Sequence, residues 1–147
     1  MKISLLAIKL IQHFEGFEPQ LYRDAAGYWT IGYGHLLREG EGFRRGITHA
    51  QATQLLRQDV RMAERAVSRL IGVPLSQSQF DALVSFTFNL GSGALQRSTL
   101  RRKVNGQYHG EVPPEFLRWV WAGGRKLKGL QRRRQAEAVL YSAMNRA

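Results

Sequence analysis

The sequence predicts an α+β fold in which one helix precedes a small antiparallel sheet and a helical bundle follows it. Three patterns support this prediction. Apolar residues recur near helical spacing within the first fifteen positions, aromatic and β-branched residues alternate with glycines from Leu21 to Leu37, and helix-start and helix-stop signals repeat after Thr48. With 147 residues, 44% of them hydrophobic, the chain is long enough to bury a core as one domain.

The first helix is predicted to end beside Glu15, because Gly16 follows a set of apolar residues at near-helical spacing. These residues are Leu5, Leu6, Ile8, Leu10, Ile11 and Phe14. The sheet should follow between Leu21 and Leu37, where three glycines separate the aromatic and β-branched residues. A polar loop is then expected from Arg38 to Gly46.

A long amphipathic helix is predicted to begin at Thr48, where Gln51 completes a capping-box pattern, and to continue to Ile71. Ser76 and Gln79 repeat the pattern ahead of an apolar run that stops at a glycine, as expected of a buried central helix. Three shorter helices are predicted to span Ser98 to Val104, Pro114 to Ala122 and Leu130 to Met144.

Composition excludes several classes of chemistry. The chain contains no cysteine, so disulfides, thiolate metal sites and a cysteine nucleophile are excluded, and the four histidines are too scattered to predict a metal site. We therefore expect neither a metal nor another cofactor. The formal net charge of +11 favours encounter with a polyanion, but nucleic acid and bacterial envelope polymers both meet that description.

One short segment carries the residues that point to an enzyme. Glu15 is followed nine positions later by Asp24 and six positions further by Thr30, and the run Thr-Ile-Gly-Tyr-Gly-His then ends at His35. Acid–base catalysis by a pair of carboxyl groups needs one of them protonated and the other ionised. A partly desolvated Glu15 at a helix end suits the proton donor, and Asp24 in the more polar hairpin suits the ionised partner.

This spacing resembles the signature of the phage-type lysozymes, glycoside hydrolase family 24, and other segments extend the resemblance over nearly the whole chain. They are QDV at Gln58 to Val60, LSQSQFDALVSFTFNLG at Leu75 to Gly91 and GLQRRRQAE at Gly129 to Glu137. The resemblance implies a mainly helical lysozyme-like fold, in which a small sheet lobe and a helical lobe flank a cleft. It also implies a muramidase that hydrolyses the β-1,4 bond between N-acetylmuramic acid and N-acetylglucosamine and so lyses bacteria.

The resemblance assigns roles to individual residues. Glu15 would be the general acid, and Asp24 and Thr30 would hold the water that attacks the opposite face of the sugar. That arrangement implies inversion at the anomeric carbon and a carboxyl separation of about 6.5 to 9.5 Å. By the same resemblance, His35 forms a structural ion pair with Asp59 of the long helix.

The resemblance also predicts sugar-binding residues. In relatives, the positions of Leu36, Phe88 and Asn89 line the substrate groove. Core packing explains Phe88 equally well, and Asn89 can either bond to a sugar or cap its helix. Trp119 and Trp121 lie two apart on a predicted helix, so we expect core or wedge roles for them.

The expected organisation is a single catalytic domain over residues 1–147, with a sheet lobe at about 16–46 and a helical lobe at about 47–147 plus the first helix. No segment has the composition of a linker, so no separate wall-binding domain is expected.

No signal peptide or transmembrane segment is evident. A monomeric enzyme is therefore expected to stay in the host bacterial cytoplasm until another protein permeabilises the membrane, and then to act on the cell wall.

Two other functions fit part of the sequence. A nucleic-acid-binding module would explain the charge, but it gives no reason for Glu15, Asp24 and Thr30 at this spacing. A cationic C-terminal helix could disrupt membranes with an apolar face, although core packing explains that face better. The face comprises Leu130, Val139, Leu140 and Met144. The expected partners are bacterial peptidoglycan and anionic envelope polymers, without nucleic-acid binding or stable membrane insertion.

Overall fold

The computed structural model describes residues 1–143, and its elements confirm the α+β class. Helices α1 to α7 are Leu5–Glu15, His49–Leu70, Gln77–Leu90, Ser92–Arg97, Thr99–Asn105, Pro113–Phe116 and Lys128–Tyr141. Strands β1 to β5 are Glu18–Arg23, Trp29–Gly32, His35–Leu36, Trp121–Ala122 and Arg125–Lys126, and a 3₁₀ turn spans His109–Glu111. The described residues form two compact units, one of residues 8–61 and one of residues 1–7 together with residues 62–143.

The unit of residues 8–61 contains a three-stranded antiparallel sheet in the order β1-β2-β3. Tyr22 on β1 lies opposite Thr30 on β2. A Cβ atom at Gly32 would lie 3.1 Å from side-chain atoms of Ile47, just before α2, and of Ala52 on α2, so this glycine allows β2 to approach α2 closely. The capping box predicted for α2 is confirmed, because Thr48 and Gln51 exchange hydrogen bonds of 2.8 and 3.2 Å.

The other unit is built around α3, whose side chains from Phe80 to Phe86 are all buried. Helix α3 packs against α4 and α7, and α6 packs against α7. The capping box predicted at the start of α3 is confirmed: Ser76 Oγ accepts from the Gln79 N–H, and Gln79 Oε1 accepts from the Ser76 N–H. None of the helices within residues 1–143 combines the length and the apolar composition needed to cross a bilayer.

The predicted helix from Pro114 to Ala122 is wrong. Only the four residues of α6 are helical, and β4 and β5 then form an antiparallel hairpin with Gly123-Gly124 as its turn. Both glycines have positive φ angles, 57° and 74°, as a two-residue type I′ turn requires. The two tryptophans therefore do not share a helix, because Trp119 lies between α6 and β4 and Trp121 lies on β4.

The remaining boundaries need smaller corrections. Helix α4 has no counterpart among the predicted elements. Helix α5 follows Ser98, whose hydroxyl oxygen accepts from the Arg101 N–H at 3.0 Å and so caps it. Helix α7 begins at Lys128, two residues before its predicted start, and its predicted last residue, Met144, lies outside the described residues.

Candidate active site

Glu15 is the last residue of α1, and its half-buried carboxylate lies against the turn between β2 and β3. Gly16 ends the helix directly behind it, with a φ of 73° and an N–H that bonds to the Gln12 carbonyl at 3.0 Å. A Cβ atom at Gly34 would lie only 2.9 Å from Glu15 Oε2. The glycine in the turn therefore provides the space that this carboxylate occupies.

Asp24 lies in the turn between β1 and β2, where the backbone fixes its carboxylate. Its Oδ1 atom accepts hydrogen bonds from the N–H groups of Ala26 and Tyr28, each at 2.9 Å. The backbone N–H of Asp24 also donates to the Tyr28 carbonyl at 2.9 Å. Since Oδ2 accepts no hydrogen bond within residues 1–143, one carboxylate oxygen is anchored and the other can bind a further group.

Thr30 lies on β2 and is only 2% exposed. Its hydroxyl donates to the Tyr28 carbonyl at 3.0 Å, so the single hydroxyl hydrogen is already used. Toward any other group, Thr30 Oγ1 can act only as an acceptor.

The phenol of Tyr22, which the sequence interpretation did not single out, interacts electrostatically with both Glu15 and Asp24. Burial, followed by the charges of Glu18, Glu15 and Asp24, raises the pKa of the Tyr22 phenol. Tyr22 also lies opposite Thr30 across the strand pair, so the structure places Asp24 and Thr30 together near the β1–β2 turn, while Glu15 comes from the end of α1. The available signal was the position of Tyr22 in the sequence, two residues before Asp24 and near the end of β1.

His35 is buried and joins two carboxylates. Its Nδ1 atom lies 2.8 Å from Asp59 Oδ2, and its Nε2 atom lies 2.9 Å from Glu41 Oε1. Burial acts to lower the pKa of His35, but the hydrogen bonds that the carboxylates of Glu41 and Asp59 accept from the ring outweigh it, so the pKa is raised. Glu41 had not been predicted as a partner, and it also accepts from the Arg38 N–H at 2.7 Å.

The predicted groove residues occupy both compact units. Leu36 is 51% exposed on β3 in the unit of residues 8–61. Phe88 and Asn89 lie half-buried in the last turn of α3, in the other unit. The Asn89 Oδ1 atom accepts a hydrogen bond of 2.8 Å from Nη2 of Arg134. Within the described residues, no group of three or more His, Asp or Glu side chains is arranged to hold a metal ion.

A polar cavity of about 280 Å³ lies in the same unit as Asn89. It is lined by Arg97, Ser98, Thr99, Glu115, Arg118 and Trp119. Burial acts to raise the pKa of Glu115, but hydrogen bonds from Lys103 and Arg118 hold it below its ordinary value. The carboxylate of Glu115 is therefore already neutralised by two cations of the chain, while Arg97 lies over the Trp119 ring at 5.7 Å.

The chain matches one family model and is similar to known phage proteins. A family model for phage lysozyme matches residues 12–137. The chain is 41% identical to an endolysin of Bacillus phage B103 over 96% of the chain and 54% of that relative. It is also 40% identical to an endolysin of Acyrthosiphon pisum secondary endosymbiont phage 1, over 97% of the chain and 99% of that relative. The chain thus spans about half the length of the Bacillus phage relative.

A solved structure extends the similarity to the fold. The muramidase domain of SpmX from Asticaccaulis excentricus matches with a TM-score of 0.88 and 39% sequence identity. The match covers 97% of this chain and 99% of that domain. Sequence and fold therefore agree over nearly the same residues.

Proposed function

We propose that this chain, which belongs to the phage lysozyme family, is a muramidase that hydrolyses the β-1,4 bond between N-acetylmuramic acid and N-acetylglucosamine in bacterial peptidoglycan. The observation that carries the proposal is the placement of two carboxylates at one sheet: Asp24 and Thr30 both bond to Tyr28 near the β1–β2 turn, and the Glu15 carboxylate lies against the next turn, at Gly34. An acid and a water-holding pair are what single-displacement hydrolysis of a glycoside requires.

In this proposal Glu15 is the general acid. Its position at the end of a helix places the carboxyl group against the turn at Gly34, next to the sheet that carries Thr30. In the protonated form it gives its proton to the leaving glycosidic oxygen as positive charge grows on the sugar ring. The resulting carboxylate recovers a proton from solvent before the next turnover.

Asp24 and Thr30 together hold the attacking water in this proposal. Both present an oxygen that can only accept: Oδ2 of the anchored Asp24 carboxylate, and Oγ1 of a hydroxyl that already donates to Tyr28. A water that donates one hydrogen to each would have a lone pair free to attack the anomeric carbon. Asp24 takes the proton as the new carbon–oxygen bond forms on the face opposite the leaving group, so the configuration inverts.

The stereochemistry of the first product tests this mechanism. Proton NMR of a digest of β-linked glycan should show the α anomer before mutarotation, and a β product would refute the single-displacement step. Mass spectrometry of the same digest separates hydrolysis from elimination. Reducing N-acetylmuramic acid ends support the proposed reaction, whereas anhydro ends would indicate a lytic transglycosylase.

Substitution of the acid tests the assignment of Glu15. Glu15→Gln should abolish clearing of wall suspensions, because the amide cannot give up a proton to the leaving group. Glu18→Gln is the matched control: it makes the same chemical change at an exposed carboxylate on β1 that also influences Tyr22. If Glu15→Gln clears wall suspensions as fast as Glu18→Gln and the wild type do, Glu15 is not the general acid.

We further propose that Leu36, Phe88 and Asn89 bind the glycan and that the cationic surface favours anionic envelope polymers. A gel-shift assay on the same preparation should show no specific nucleic-acid complex. The proposed route to the wall runs from the host bacterial cytoplasm through a membrane that another protein opens. Cells that express the chain should then lyse rapidly only after a separate membrane-permeabilising treatment.

A further inference from the structure

A cluster of buried charged side chains lies between α3 and α7, in the unit that contains Asn89. Arg134 and Glu137 are both 0% exposed. Glu137 Oε2 accepts from Ser85 Oγ at 2.6 Å, and Glu137 Oε1 lies 2.7 Å from Arg134 Nε. Because a buried ion pair is often no more stabilising than apolar side chains of similar volume, the cluster points to a role besides stability.

One nitrogen of Arg134 connects this cluster to Asn89. Nη2 donates to Asn89 Oδ1 at 2.8 Å and to Glu137 Oε2 at 3.2 Å, and these two bonds use both of its hydrogens. The Phe86 ring lies against the guanidinium, with its centroid 5.3 Å from Cζ. The carboxylate of Glu137 and the ring of Phe86 thus hold the guanidinium in place from two sides.

Arg134 determines which way the Asn89 carboxamide faces. A guanidinium carries only donors, so the Asn89 atom that meets it must be the carbonyl oxygen and not the NH₂ group. Burial lowers the pKa of Arg134, but the charge of Glu137 opposes this effect, and the guanidinium remains a cation at neutral pH. The flipped carboxamide would set two donors against each other and is therefore disfavoured.

The NH₂ group of Asn89 consequently points away from Arg134. Within residues 1–143, Asn89 Nδ2 donates no hydrogen bond, and the side chain does not cap α3. The cap is instead the Gly91 N–H, which bonds to the Thr87 carbonyl at 2.7 Å. We infer that Arg134 is a positioning residue, which holds the Asn89 NH₂ group ready to donate to an acetamido carbonyl of the glycan.

This inference rests on the proposed muramidase function and adds a determinant of its specificity. A carbonyl oxygen accepts hydrogen bonds and never donates them, so it matches a donor of fixed orientation. A sugar hydroxyl can rotate to donate or to accept, so it would suit either orientation of the carboxamide. A fixed Asn89 therefore favours N-acetylated sugars over sugars that carry a hydroxyl at the same carbon.

The test compares two neutral ligands of equal length, the N-acetylglucosamine tetramer and the glucose tetramer, by NMR titration of the ¹⁵N-labelled full chain. The side-chain amide signal of Asn89 is identified by its absence in Asn89→Asp. In the wild type, the acetylated tetramer should shift that signal and bind about tenfold more tightly than the glucose tetramer. Asn89→Asp keeps an oxygen toward Arg134 but lacks the donor, so most of this preference should disappear.

Arg134→Lys should also lose most of the preference, because lysine has no second nitrogen in the place of Nε, which lies 2.7 Å from Glu137 Oε1. Its ammonium group is not part of a planar group and is therefore not held facing Asn89. Arg132→Lys makes the same change at an exposed residue of α7 and should behave as the wild type. Circular dichroism shows whether each variant is folded. If Arg134→Lys does not fold, Asn89→Asp, which alters only a half-buried carboxamide, decides the outcome.

An unchanged preference in Asn89→Asp, or an Asn89 signal that does not move when the acetylated tetramer binds, would overturn the inference. Binding of neither tetramer would overturn it as well. The proposed function fails by a different result, namely wall hydrolysis that survives Glu15→Gln. The two failures are distinguishable, because Glu15→Gln should retain the preference for the acetylated tetramer.

Discussion

At the residue scale, neighbouring backbone groups limit what each proposed catalytic side chain can do. Asp24 is anchored through one carboxylate oxygen, and Thr30 has used its hydroxyl hydrogen on the Tyr28 carbonyl. Glu15 rests against Gly34, where the chain has no room for a side chain. Each of these contacts leaves the side chain with one role in the proposed reaction. A substitution that removes such a contact should therefore lower activity more than it lowers stability.

Gly34→Ala should reduce wall clearing at least tenfold. The new methyl group would lie 2.9 Å from Glu15 Oε2, and a residue with a Cβ is also strained at a φ of +75° by about 1 kcal/mol. Gly40→Ala is the control, since Gly40 has a φ of +85° but no atom within 4 Å of its Cβ position. Equal loss of activity in both variants would show that backbone strain, and not the displaced carboxylate, is responsible.

Thr30→Val should lower kcat by about 10² or more, because the isosteric side chain offers no acceptor for the attacking water. The same variant should lose about 1 kcal/mol of stability, since the Tyr28 carbonyl loses one of its two donors and keeps only the Asp24 N–H. Thr30→Ser retains the hydroxyl and should keep most of the activity. Steady-state kinetics on soluble glycan strands with both variants checks this, and a fully active Thr30→Val would exclude the water-holding role.

At the element scale, His35 links three parts of the unit of residues 8–61. It lies on β3, Asp59 lies on α2, and Glu41 belongs to the loop between them. Both ring nitrogens face carboxylate oxygens, so both bonds form together only when the imidazole is protonated and positively charged. The sheet, the loop and the helix are therefore held together by a charge that depends on pH.

His35→Asn should remove about 2 kcal/mol of stability in weakly acidic solution and little in alkaline solution. The pKa of His35 is raised when folded, so its contribution is complete below its ordinary value of 6.5 and is lost as pH rises through the raised pKa. The pKa of Glu41 is lowered when folded, so its contribution is complete above its ordinary 4.5 and is lost as pH falls through the lowered pKa.

Thermal unfolding of wild type, His35→Asn and Glu41→Gln from about pH 4 to about pH 9 measures the loss of stability on both sides, at high pH through His35 and at low pH through Glu41. In Glu41→Gln the bond between His35 and Asp59 should remain, so this variant should lose only part of the pH-dependent stability. A difference between wild type and His35→Asn that does not vary with pH would rule out the charged bridge.

At the scale of the whole molecule, the net charge of +11 attracts the chain to an anionic cell wall before any specific contact forms. The rate of wall clearing should therefore fall about tenfold between roughly 0.02 and 0.2 M salt, as the field is screened. Binding of the neutral N-acetylglucosamine tetramer over the same range is the control and should change little. A clearing rate independent of salt would mean that the surface charge does not assist the encounter.

The sequence predicted much of the fold because helix ends depend on neighbouring residues. The capping boxes at Thr48 and Ser76 are local patterns, and both form as predicted. The β4–β5 hairpin was missed for a related reason: Gly123-Gly124 is typical of a helix stop and also of a two-residue turn. Strands of two residues are too short for an alternating pattern to separate the two possibilities.

The sequence by itself determined the family, the α+β class and the spacing of Glu15, Asp24 and Thr30, all of which follow from order along the chain. Only the tertiary structure decided that Glu41 is a second partner of His35 and that Arg134 fixes the carboxamide of Asn89, which lies 45 positions away. Such contacts depend on how separate elements pack, and no local propensity specifies which distant side chain will face a given polar atom.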